Sequence, residues 1–140
     1  VSDSTFTLHP QLSADTLQIG DWPLCRLLRM NDRTYPWLIL VPKVAGIREI
    51  IDLAEEDQQR LMREIGQASR ALRSLVAPDK LNVAALGNAV PQLHVHVIAR
   101  FTTDPAWPRP IWGVNPPAAF GAAEAEAELA RLRTALAPFQ

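Results

Sequence analysis

The spacing of apolar positions changes along the chain and marks out its elements. In the first third they come as short runs at residues 6–8, 17–19 and 24–30, broken by Pro10, by Gly20-Asp21 and by Pro23. After a polar turn at residues 31–34, Trp37-Leu38-Ile39-Leu40-Val41 is a nearly unbroken apolar stretch that Pro42 closes. Runs of this kind predict the strands of an antiparallel meander. From Asp52 the period lengthens: Leu61, Ile65, Ala68, Leu72 and Leu75 recur at three- and four-residue steps, which lines one face of a helix. Asp52 is the expected cap of that helix, with Glu55 in capping-box position, and Pro78 marks its end. Gly66 inside it is expected to weaken the helix locally and to permit close packing on a sheet.

Two further strands are predicted at residues 81–86 and 92–99, joined by Gly87-Asn88-Ala89-Val90-Pro91. The proline-rich stretch at residues 104–117 carries Trp107 and Trp112 and predicts irregular chain with aromatic anchors. Residues 122–136 are rich in Ala and Glu and place Leu129, Leu132 and Leu136 on one helical stripe. There is no internal repeat. The pattern predicts an α+β fold, with an antiparallel sheet of about five strands, a long helix and an additional C-terminal helix near residues 122–137. One domain is expected over residues 1–140, its core at 6–113.

Composition narrows the partners. The 140 residues are 48% hydrophobic and 21% charged, ordinary values for a globular domain with a real core. With 14 Lys and Arg against 15 Asp and Glu, the formal net charge of −1 gives no general attraction to nucleic acid or an anionic membrane. An anionic ligand must therefore be held by a local site. The single Cys25 lies in an apolar run and reads as a small buried hydrophobe. No charged-apolar-small leader is seen, and no apolar run approaches the roughly 18 residues of a membrane helix. These features lead to the expectation of a reducing, cytoplasmic compartment.

The dense chemistry lies in Gln92-Leu93-His94-Val95-His96-Val97-Ile98, which holds two of the three histidines. Alternation along a strand puts Gln92, His94 and His96 on one face, a solvent-facing pocket floor, with Leu93, Val95 and Val97 packed behind. Two such imidazoles could be polar residues on a solvated sheet, metal ligands or catalytic groups. A metal reading is disfavoured because His9 and Cys25, the other soft donors, do not stand at ligand-like spacing. Covalent catalysis on phosphorus is the remaining option. A neutral imidazole can attack a phosphoryl group if a partner fixes its tautomer, donors hold the phosphate oxygens and an acid serves the leaving group. A backbone carbonyl can supply the first, and the Gly87 turn with Asn88 can supply donors.

These segments resemble the histidine-triad (HIT) family of nucleotide hydrolases and transferases, whose signature is His-φ-His-φ-His-φ-φ with φ apolar. The run at residues 92–98 matches it except at the first position. Leu86-Gly87-Asn88 with Val90-Pro91, the strand from Trp37 to Lys43 and the long helix are similar to a bacterial branch with this Gln-x-His-x-His variant. The resemblance implies that His94 is the nucleophile toward the α-phosphate, that His96 assists around the phosphates, and that Gln92 offers its backbone carbonyl to the His94 ring. Trp37 stands where the family commonly has a histidine directed at the first triad position, so Gln92 and Trp37 read together as one rebuilt pocket wall.

Further carry-overs from the resemblance concern substrate. Gly87 and Asn88 are expected at the phosphates, although Asn88 reaches less far than the usual Gln and Ala89 replaces a phosphate-binding Ser. Asn31, or Asp32 beside it, is the candidate for the ribose, with a simple turn as the other reading. Arg100 could approach phosphate or lie solvated, and Trp107 and Trp112 could cover the site's mouth, meet a second subunit or simply pack. The implied substrate is a purine nucleotide conjugate, such as a dinucleoside polyphosphate, nucleoside phosphoramidate or acyl-adenylate. A homodimer is implied, without nucleic-acid or membrane partners. No cofactor is expected to be tightly bound and no metal site is expected, while a divalent cation arriving with the substrate is compatible. Two alternatives stay open: a nucleotide-binding module with weak or lost turnover, and a metal-dependent protein using His94 and His96.

Overall fold

The computed structural model describes residues 6–137. Along the chain it contains α1 (Pro10–Asp15), β1 (Thr16–Asp21), β2 (Cys25–Met30), β3 (Trp37–Pro42), a 3-10 turn at Ile50–Asp52, α2 (Glu55–Val76), β4 (Lys80–Ala84), β5 (Val95–Arg100) and α3 (Ala122–Leu136). The five strands form one sheet in the order β1-β2-β3-β5-β4, every neighbouring pair antiparallel. β3 is buried along its whole length because it lies mid-sheet with both faces covered.

Alternation sorts the sheet residues into two cores. Leu38 and Leu40 of β3, with Val95, Val97 and Ala99 of β5, pack against Leu61, Ile65, Ala68 and Leu72 of α2. Leu132 and Leu136 of α3 join that layer. On the opposite face Trp37, Ile39, Val41 and Ile98 meet Leu12 of α1, Tyr35 and the loop residues Ala106 and Ile111. Glu64 reaches inward from α2, and its carboxylate accepts the backbone N–H groups of Leu24 at 3.0 Å and Cys25 at 2.9 Å. These two bonds fix the helix over the start of β2. Cys25 is fully buried, and burial pushes its thiol far above the ordinary range, in keeping with a hydrophobe's role.

Several local expectations give way. Residues 6–8 form no strand; they lead into α1, whose first turn has Pro10 at an N-terminal position and the His9 ring accepting the Gln11 N–H. Asp52 caps the 3-10 turn instead of α2, accepting the Glu49 N–H at 2.9 Å. α2 begins three residues later, with Glu55, Glu56 and Asp57 in its positively polarised first turn. It ends on Ala77 in the left-handed conformation (φ 47°), one residue before Pro78. A Cβ at Gly66 would meet the Arg70 guanidinium and no strand, so this glycine does not serve sheet packing. β4 stops at Ala84 and β5 starts at Val95, which leaves residues 85–94 as a long loop that ends on His94, with His96 in the strand.

Candidate functional site

β5 puts His96, Ile98 and Arg100 on the face away from α2, and His94 precedes the strand on the same side. Leu93, Val95 and Val97 pack behind them under α2, as the alternation predicts. The floor is not open to solvent, however. His94 is 7% exposed and His96 is 4% exposed; Trp112 of the 104–117 stretch packs on His96, while His94 borders residues 48–51 and 85–87. The two rings meet edge to face with centroids 5.0 Å apart.

Each ring has a different partner. His94 Nδ1 lies 2.7 Å from the backbone oxygen of Gln92. A carbonyl oxygen can only accept, so Nδ1 must carry the proton and Nε2 of the neutral ring keeps its lone pair. His96 Nδ1 instead accepts the indole N–H of Trp37 at 3.0 Å. Trp112 packs edge-on against both His96 and Trp37, at 5.2 and 6.2 Å between centroids. Burial, and next the neighbouring His94, lower the His96 pKa to about 4, so His96 is uncharged at neutral pH.

The Gln92 side chain and Trp37 do not form a shared wall. Gln92 Oε1 accepts the His9 N–H and its Nε2 donates to the Thr7 carbonyl, both at 2.9 Å, so the amide holds the segment entering α1. Trp37 pairs across the sheet with Ile98 and reaches diagonally to His96. The two departures from the triad pattern therefore have separate partners.

Two cavities adjoin this cluster. One, of about 360 Å³, is lined by His94, Leu93, Gly87, Ala85 and Leu86 with residues 48–51. The other, of about 410 Å³, is lined by Asn31, Asp32, Asp15, Tyr35, Asn115, Trp37 and Trp112. The aromatic row of Trp112, His96 and His94 links them. Gly87 (φ 69°) thus shares a cavity with His94, whereas Asn88 is exposed and lines neither. Asn31 lies in the second cavity, its side-chain oxygen accepting the Phe120 N–H at 2.9 Å. Asp32 is buried beside it and accepts the N–H groups of Thr34 and Ala118. Asp15, Tyr35 and Asn115 were not foreseen, since nothing in their local sequence marks them; the Tyr35 hydroxyl donates to Asn115 across 80 residues.

Arg100 neither approaches the cavities nor lies in solvent. It is 1% exposed and donates to both Asp104 oxygens, to Asn82 Oδ1 and to the Arg109 carbonyl, with Trp107 stacked on its guanidinium. Its task is to tie the 104–117 stretch to the sheet, while Trp112 from the same stretch reaches the histidines. Among the described residues, no three His, Cys, Asp or Glu side chains cluster as a metal site would require, and no helix is long and apolar enough to cross a membrane.

The fold has counterparts among known proteins. The family model of the HIT domain matches residues 11–103. A histidine triad protein from Bradyrhizobium japonicum is 53% identical over 94% of this chain and 98% of its own, with a TM-score of 0.90. Similar proteins from Marinobacter aquaeolei VT8 and Sinorhizobium meliloti 1021 are 49% and 42% identical, each over 96% of this chain and 98% and 100% of theirs, with TM-scores of 0.93 and 0.92. No functionally curated protein matches the chain.

Proposed function

Starting from the fact that this chain belongs to the HIT domain family, we propose that it cleaves or transfers at the α-phosphate of a purine nucleotide conjugate through a nucleotidyl-His94 intermediate. The observation that carries this reading is the 2.7 Å contact between His94 Nδ1 and the Gln92 carbonyl, which leaves Nε2 as the bare, oriented nitrogen. Its lone pair forms the bond to the α-phosphorus as the bond to the leaving group breaks, and the departing oxygen or nitrogen takes a proton from solvent. Water then attacks the same phosphorus and returns a proton to solvent as the P–N bond breaks, which restores the imidazole with its proton on Nδ1. His96, with its ring 5.0 Å from that of His94, would contact the phosphoryl group. Gly87 borders the His94 cavity and offers backbone to the phosphates. Asn31 and Asp32 line the cavity best suited to the nucleoside, about 410 Å³ in size.

The protein is incubated with a diadenosine polyphosphate or adenosine phosphoramidate labelled at the α-phosphate, quenched in base and digested for mass spectrometry. A nucleotidyl group on residue 94, absent from His94→Ala, is the expected result. Binding of several purine nucleotides without adduct or turnover would overturn the catalytic reading. It would favour a binding module instead, a reading supported by exposed Asn88 and by Ala89, which has no hydroxyl to offer phosphate. The metal-dependent reading is tested by chelation, which it requires to abolish activity. A homodimer belongs to the same proposal. β4 ends the sheet, and the half-exposed Val83 and Leu86 lie on it and just beyond. Sedimentation showing a monomer would remove that part.

A further inference from the structure

The Trp37 indole is a donor and nothing else, and that limits what His96 can be. We propose that Trp37 is a positioning residue for the reaction above: its N–H holds His96 as the neutral tautomer with the proton on Nε2, so that His96 offers phosphate a hydrogen bond and not a charge. The inference rests on the proposed chemistry for its consequence, but the tautomer itself is a property of the free protein.

His96 Nδ1 accepts the Trp37 Nε1–H in a 3.0 Å hydrogen bond. For that bond to exist Nδ1 must present a lone pair, so the one proton of a neutral ring resides on Nε2. Protonating Nδ1 would set two N–H groups against each other at that distance, so the imidazolium can form only by breaking the contact. No neighbour compensates. The rings touching His96 are His94, Trp37 and Trp112, and His94 is the titratable one among them. Trp37 itself has little freedom, being 7% exposed and packed edge-on against Tyr35 and Trp112. The result is a pair of histidines with opposite tautomers: the carbonyl that accepts from His94 Nδ1 keeps that ring's proton on Nδ1, and the indole that donates to His96 Nδ1 keeps that ring's proton on Nε2. One ring presents a lone pair and the other a donor, without a carboxylate to set either.

The test is nitrogen-15 NMR of the histidine rings in the substrate-free protein, beside kinetics of wild type and Trp37→Phe, which keeps an aromatic ring and deletes the N–H. In wild type, His96 is expected with the proton on Nε2 and a hydrogen-bonded Nδ1 across pH 5.5–8. A wild-type His96 protonated on Nδ1, or charged at pH 7, would overturn the proposal whether or not the variant folds. In Trp37→Phe the Nδ1 resonance should lose its hydrogen-bonded shift. kcat should fall about tenfold, the worth of one neutral hydrogen bond, with KM nearly unchanged. The acid limb of the kcat profile should move toward neutral pH as protonation of Nδ1 becomes permissible. A variant with wild-type kcat and pH profile would also overturn it. Correct tautomers in a wild-type protein without turnover would instead leave the positioning intact and count against the catalytic reading.

Discussion

Gln92 acts on its surroundings through two chemically separate parts, and replacing it with Ala should separate them. The backbone carbonyl holds the His94 ring at 2.7 Å and survives the substitution. The side-chain amide makes two bonds, to the His9 N–H and the Thr7 carbonyl, and both are lost. A neutral hydrogen bond contributes about 0.5–1.5 kcal/mol net. These two groups lie at partly exposed positions where water can replace the amide, so the total should be about 1–3 kcal/mol. For a domain of this size, 1 kcal/mol corresponds to about 3 °C in Tm, so a drop of about 3–9 °C is expected by calorimetry or circular dichroism. Turnover of an adenosine conjugate at 25 °C should stay within about threefold of wild type, because the His94 ring keeps its carbonyl partner. Gln92→His should likewise bring no gain, since the carbonyl at that position already serves His94. A kcat loss above about tenfold in folded Gln92→Ala would refute the division of labour, and an unchanged Tm would show that the amide does not secure the N-terminal segment.

Arg100→Met should destabilise by about 3–5 kcal/mol in urea titration, since it leaves the Asp104 carboxylate, 6% exposed in its side chain, without its cation; a change below about 1 kcal/mol would contradict the anchoring role. His96 titrates at about 4 when folded but near 6.5 when unfolded. The unfolded chain thus binds more protons in that window, and stability should fall as pH drops from about 6.5 toward 4. His96→Gln should flatten that slope, and an unchanged slope would reject the assignment. Ala77 adopts φ 47° at the end of α2, so Ala77→Gly should raise stability by about 0.5–1 kcal/mol. A lower Tm would show that no strain is held there.

What the sequence alone determined is whatever depends on neighbours within a few residues. The period of Leu61, Ile65, Ala68 and Leu72 dictated the helix and its buried face. Alternation in Leu93-His94-Val95-His96-Val97 dictated that both imidazoles leave the sheet on the side away from that helix. The chain also carries a backbone carbonyl two residues back, so a carbonyl partner for the His94 ring was legible before any tertiary structure, although Gln92 and His94 lie in the loop ahead of β5.

Tertiary structure decided the rest, because it depends on segments that meet only when the chain closes. The Gln92 amide finds His9 across 83 residues, and Trp37 finds His96 across 59. Arg100 was open to two readings until Asp104 and the Arg109 carbonyl enclosed it. Asn88, expected at the phosphates from the resemblance, is exposed and lines neither cavity beside the histidines. A local pattern records which face a side chain uses, since backbone geometry enforces it at every step. It does not record which distant side chain will meet that face, and the Trp37 indole is what sets the His96 tautomer opposite to that of His94.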